Sequence, residues 1–147
     1  MEYYFPESAR FVCEKCGRCC GDTEDTIRHV LLLKSEAEKI SKETSQEIRE
    51  FAHEVNGFEP YIYEIKKTET EGKCLFLEYN RCTIYEIRPI ICRFYPFELK
   101  NLGKDKYSFL FTTKCKGIGQ GPNLKKDFFE GLFMLVTKVM DEDAKIA

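Results

Sequence analysis

Apolar and polar positions along the chain change texture three times, and each change predicts a different kind of element. Residues Ile27 to Leu33 form a short apolar run, long enough for a buried strand or an extended lead-in. Behind it, Ser35-x-x-Glu38 reads as a capping box and predicts a helix from about Glu36. Thr44-x-x-Glu47 reads as a second box. It opens a helix with Ile48, Phe51, Ala52 and Val55 on one face, running to Gly57. After Pro60 the texture becomes β, with Tyr61 to Ile65 predicted as a strand. Segments 74–78 and 82–85 predict a hairpin turning at Asn80-Arg81. Pro89 suits the first turn of a short helix that carries Cys92 and ends at Pro96. Tyr107 to Thr113 predicts another strand. Asn123 is placed to cap a last helix with the apolar stripe Leu124, Phe128, Leu132, Leu135, Val136 and Val139. With no repeat or linker, the pattern predicts a small single α+β domain over residues 1–147, of short antiparallel strands with helices.

Composition agrees with a folded chain. Apolar residues make up 43% and aromatics 14%, which excludes a disordered or low-complexity protein. A formal charge of −2 gives no general reason to expect nucleic acid or an anionic membrane as partner. The start Met1-Glu2-Tyr3-Tyr4-Phe5-Pro6-Glu7 lacks the basic and apolar regions of a signal peptide, and no apolar run approaches the ~20 residues needed to span a bilayer. The expected location is the cytoplasm.

Cysteine changes this picture most. Cys13-x-x-Cys16-Gly17-Arg18-Cys19-Cys20 places four of the eight cysteines in one short loop. Two cysteines separated by two residues can turn both sulfurs toward one point about 2.3 Å from each, the length of a zinc–thiolate bond. Gly17 allows the loop to curl with φ > 0. The adjacent pair Cys19–Cys20 suits two centres, or a cluster larger than one atom. In a reducing compartment such clusters are metal ligands or redox centres rather than disulfides. Abundant Lys and Glu with only Gln46 and Gln120 lean toward a thermophile, where intracellular disulfides do occur. Even so, Cys13, Cys16, Cys19 and Cys20 would need distant partners to pair without strain. Cys74, Cys82, Cys92 and Cys115 are spread over strand, hairpin, helical turn and loop, and fit no compact finger pattern. All eight are candidate metal ligands. Soft thiolates suit zinc or an iron–sulfur cluster, a [4Fe-4S] cluster included, and argue against calcium or magnesium. Cys13, Cys16 and Cys19 match the first three positions of the bacterial ferredoxin run, whose fourth Cys-Pro element is absent here.

These residues resemble the CxxCxxCC-type (YkgJ-like) cysteine-cluster family of zinc- or iron-chelating domains. The resemblance is carried by Cys13-x-x-Cys16-Gly17-x-Cys19-Cys20, Cys74-x-Phe76-Leu77, Cys82-x-Ile84-Tyr85-x-x-Arg88-Pro89-x-x-Cys92-Arg93-x-Tyr95-Pro96 and Cys115-x-Gly117-x-Gly119. It implies a domain that binds zinc or an iron–sulfur cluster. From the placement of the cysteines, the loop is expected to fold back on the hairpin, the Pro89–Arg93 turn and the Cys115 loop. The same pattern is associated with flagellin lysine methylases, which implies an iron–sulfur-dependent methylase or redox component as an alternative. A zinc-stapled module that binds a protein partner is a further alternative.

The remaining candidates have two readings each. Arg88 and Arg93 flank Cys92 and suit either a shell around anionic sulfur or surface ion pairs. Gly117-x-Gly119-x-Gly121 suits close backbone approach near Cys115 or a plain turn. Phe94, Tyr95 and Phe97 are expected to pack around the second cysteine block. His53 reads as solvated, and His29 as a minor alternative ligand. No nucleophile–base pair, nucleotide loop or HExxH helix stands out, so no catalytic residue is assigned.

Overall fold

The structure is a computed structural model that describes residues 2–13, 21–22, 27–79, 81–113, 115 and 117–146. Its elements are β1 (Glu2–Tyr4), β2 (Arg10–Phe11), β3 (Leu31–Leu32), α1 (Lys34–Thr44), α2 (Ile48–Phe51), β4 (Ala52–Glu54), β5 (Tyr63–Ile65), β6 (Leu77–Glu78) and β7 (Arg81–Cys82). A 3₁₀ turn (Tyr85–Ile87) then leads to α3 (Ile90–Phe94), β8 (Phe97–Gly103), β9 (Lys106–Phe111), β10 (Ile118–Asn123) and α4 (Lys126–Ile146). The class is α+β, and the backbone gathers into two compact units.

The first unit comprises Met1–Glu14 and Phe94–Thr137. Its sheet has the order β1-β9-β8, with β8 and β9 antiparallel. β1 runs parallel to β9, an exception to the antiparallel pattern expected. A second pair, β2 with β10, is antiparallel. Phe129 of α4 is fully buried and packs against Phe5, Phe97 and Phe109, with ring centroids 5.1–5.3 Å apart. Phe133, one turn on, stacks on Tyr3 at 4.6 Å. The inward stripe therefore runs through Phe129, while Phe128, which the sequence pattern placed in it, stays exposed. Asn123 ends β10 instead of capping the helix, and β8 occupies a stretch the pattern left without a strand. Phe94 and Phe97 are buried in this unit, with Phe94 stacked on Phe109 at 5.9 Å.

The second unit comprises Lys15–Arg93 and Lys138–Ala147. The apolar run near residue 30 does form a buried strand, β3, paired antiparallel with β5, which also pairs with β4. α1 begins two residues before the expected start. Leu33 is its N-cap, and Glu36, not Glu38, reaches back to accept the Leu33 N–H at 3.0 Å. The Ser35 N–H donates to Asp143 Oδ1 at 2.9 Å, which satisfies another first-turn donor. The helix expected through Val55 stops at Phe51. Ala52–Glu54 instead forms β4, with Ala52 opposite Ile65 and 2% exposed. The predicted hairpin is present but shorter: Leu77 faces Cys82 and Glu78 faces Arg81, with Tyr79 at φ 49.

Candidate metal centre

Three predicted ligands lie in, or pack against, one apolar cluster of the second unit. Residues 66–75 fold back on themselves through Thr68 N–H to Lys73 O (2.8 Å) and Leu75 N–H to Lys66 O (3.0 Å), which sets Lys67 opposite Cys74. Cys74 is 8% exposed and lies in an apolar cluster with Phe51, Phe76, Ile84 and Ile65. Cys82 and Cys92, both half-buried, pack against the same cluster. The β6–β7 hairpin delivers Cys82, and the Thr83 N–H and Oγ1 both donate to the Phe76 carbonyl. α3 delivers Cys92, whose N–H donates to Pro89 O at 3.0 Å. Glu36 Oε2 accepts the Ile90 N–H at 2.5 Å, so a side chain of α1 secures the start of the helix that carries Cys92.

The residues flanking the N-terminal cysteine run are each paired within their own unit. Beyond it, Gly21 pairs antiparallel with Lys73, and the Asp22 N–H donates to Gly72 O at 3.0 Å. A Cβ on Gly21 would sit 2.7 Å from Gly72 O and from Lys73 Cα, so only glycine permits this approach. The ends of this ladder are one residue from Cys20 and one from Cys74. Before the run, in the first unit, the Val12 N–H donates to Gly117 O at 3.1 Å. That bond sets exposed Cys13 and half-buried Cys115 one and two residues beyond it on paired chains. A Cβ on Gly117 would lie 2.0 Å from Val12 O. Close backbone approach is thus made at Gly117, in the turn that leads into β10, while Gly119 within the strand has open space around it. Cys16, Cys19 and Cys20 lie outside the described residues, as does Asn80 of the hairpin turn. Among the described residues, no three His, Cys, Asp or Glu groups are disposed to hold one ion.

Charge around the site is arranged by hydrogen bonding. The Lys67 ammonium donates to Asp22 Oδ1 at 2.7 Å and the Arg28 N–H to the same oxygen at 2.8 Å, and together they hold the Asp22 carboxyl below the usual range. Burial pushes the Glu36 carboxyl up, against the pull of the Leu33 and Ile90 N–H groups. Arg88 and Arg93 both bind backbone carbonyls of residues 85–88. Arg88 lies 3.8 Å over the Tyr85 ring and donates from Nε to Tyr85 O. Arg93 donates from Nε to Arg88 O at 3.0 Å and from Nη2 to Glu86 O. Both fasten the turn that precedes α3.

One cluster escaped the sequence reading. His29 Nδ1 lies 2.8 Å from one oxygen of Glu64 and His53 Nε2 3.4 Å from the other. Glu64, on the central strand of its sheet, is 8% exposed and faces His53 across the ladder. The signal available in the sequence was a carboxylate in the middle of an otherwise apolar strand.

Thiols on elements of a common core, and glycines where the chain must close on them, are a donor set suited to zinc or iron. Comparison with known proteins agrees. A protein of Methanocaldococcus jannaschii described only as uncharacterized is 30% identical over 133 residues, which cover 87% of this chain and 69% of that protein. No solved structure matches the chain. The family model for CxxCxxCC, described as a "Putative zinc- or iron-chelating domain", matches residues 12–116, and the chain belongs to that family.

Proposed function

We propose that this chain chelates zinc or an iron–sulfur cluster through Cys13, Cys16, Cys19, Cys20, Cys74, Cys82, Cys92 and Cys115, acting over residues 1–147 as one metal-binding domain in a reducing, cytoplasmic setting. The observation that carries this reading is the Gly21–Lys73 pairing. It returns the chain leaving the cysteine run to the residue beside Cys74, whose thiol shares its apolar surroundings with Cys82 and Cys92. Soft donors in a largely dry cluster favour a thiophilic metal and discriminate against hard cations. A metal bound there would cross-link segments far apart in sequence, which couples binding to folding. The chain's own contribution is to hold the thiol-bearing turns in place through Glu36, Arg88, Arg93 and Thr83. Among the described residues, no helix is long and apolar enough to cross a membrane.

The test is anaerobic purification followed by metal and sulfide analysis. Brown protein containing iron and acid-labile sulfide identifies a cluster, and colourless protein with stoichiometric zinc identifies a zinc site. Protein that takes up neither metal under reducing conditions overturns the proposal. Binding and cleavage of S-adenosylmethionine by iron-loaded protein would make methyl-transfer chemistry, not chelation alone, its activity.

A further inference from the structure

We infer that the Asp22–Lys67 ion pair is a positioning latch, which sets where the chain leaving the N-terminal cysteine run meets Cys74. The inference rests on the chelation reading but draws on residues outside the cysteine motifs. Asp22 follows Cys20 by two positions and lies at the end of the short ladder formed by Gly21 and Lys73. One oxygen of its side chain carries two bonds. Oδ1 accepts both the Lys67 ammonium at 2.7 Å and the Arg28 N–H at 2.8 Å. Lys67 is only 22% exposed at its side chain and stands directly opposite Cys74 in register. Opposed residues of an antiparallel pair project from the same face, with Cβ atoms about 4.5–5.5 Å apart. The ammonium is therefore rooted beside the Cys74 thiol and spans from there to the carboxylate that follows Cys20.

Backbone geometry makes the pair more than a surface contact. Gly21 has no room for a side chain against Gly72 and Lys73. Gly72 has φ +64, and a Cβ there would stand 3.0 Å from Asp22 Oδ2. Two glycines thus bring the chains together, while one ion pair and the Asp22 N–H to Gly72 O bond keep them in register. Fully exposed pairs contribute little. The Arg49–Glu47 pair, at 2.6 Å but 85% and 67% exposed, is such a case and serves as an internal control. Lys67 also supplies a positive charge where thiolates would gather, so its loss removes both the tether and the counter-charge.

The experiment compares Asp22→Asn, Lys67→Met, Lys67→Arg and the control Arg49→Met in the full chain. Zinc affinity is read by competition with a chromophoric chelator, and zinc stoichiometry at saturation is read alongside. The rate of tryptic cleavage after Arg18 is read with metal removed. The latch requires Asp22→Asn and Lys67→Met to lose about 10- to 100-fold in affinity, the usual effect of removing a residue that orients a ligand. Saturating stoichiometry should be intact and cleavage after Arg18 faster. Lys67→Arg should stay near the wild type in both, and Arg49→Met should move neither. Should Asp22→Asn fail to fold, the Lys67 pair of variants decides. Wild-type affinity and cleavage in Lys67→Met would overturn the latch, even with a lowered melting temperature. If no version binds zinc or iron, the chelation reading fails by itself, while faster cleavage in the two variants still establishes the latch.

Discussion

At Gly117 the approach of β10 to β2 leaves no space for a side chain, since a Cβ would stand 2.0 Å from the Val12 carbonyl. Backbone cannot yield as a side-chain tip does, so Gly117→Ala should cost about 1–3 kcal/mol, the range for forced overpacking. It should also lower metal content, because the same bond places Cys13 and Cys115 on adjoining chains. Unchanged melting and metal content would remove Gly117 from the site. Phe129 offers the contrasting case of lost volume. It is fully buried among Phe5, Phe97 and Phe109, and Phe129→Ala should cost about 3–5 kcal/mol in denaturant unfolding. Phe128→Ala, at an exposed position, should cost far less. The helical spacing in the sequence allowed either phenylalanine to face inward. The partners that chose between them come from residues 5, 97 and 109.

Among the elements, α1 and α3 are joined by one carboxylate, and pH should expose the connection. Glu36 has a raised pKa in the folded state, so folding binds its proton more tightly than unfolding does. Its contribution to stability is complete below the ordinary carboxylate range and is lost as pH rises through the raised value. Wild-type stability should therefore fall relative to Glu36→Gln as pH rises above the ordinary carboxylate range, read from denaturant midpoints. A difference that is flat or of opposite slope would refute this account. Asp22 has the opposite sign: its lowered pKa gives a contribution present above the ordinary range and lost as pH falls through the lowered value. The helix that the pattern carried too far was cut short by tertiary pairing. Ile48, Phe51 and Ala52 fit a helical face, but Ala52 finds Ile65 across a ladder and the chain turns to strand. Pairing with a distant strand overrode local propensity, which carries less than about 1 kcal/mol per residue.

At the scale of the whole molecule, the described cysteines fall two and three to the two compact units, with Cys13 and Cys115 in one and Cys74, Cys82 and Cys92 in the other. If all eight serve metal, Cys115→Ser and Cys74→Ser should each lower the bound metal per chain. Full metal content in either variant would take that residue out of the ligand set. Stripping metal with a chelator should lower the melting temperature, and adding it back should raise stability by about 2.7 kcal/mol at one hundred times the dissociation constant. A melting temperature indifferent to metal would mean that binding is not coupled to folding.

The sequence by itself determined the family, the α+β class and the identity of the thiol candidates, because motif spacing and apolar periodicity are local properties. It left the glycines near Cys115 open between close approach and a plain turn, and the structure decided for close approach at Gly117. Only the tertiary structure decided what stands beside each candidate. It placed Gly21 against Lys73, joined Asp22 to Lys67, drew both histidines to Glu64, and turned Arg88 and Arg93 to backbone carbonyls. The physical reason is the same in each case. Such partners are separated by as many as fifty-two positions, and a charge or ring reads alike in sequence whether it faces water, a carbonyl or a buried carboxylate. Burial and register, which follow from chain closure, make them different.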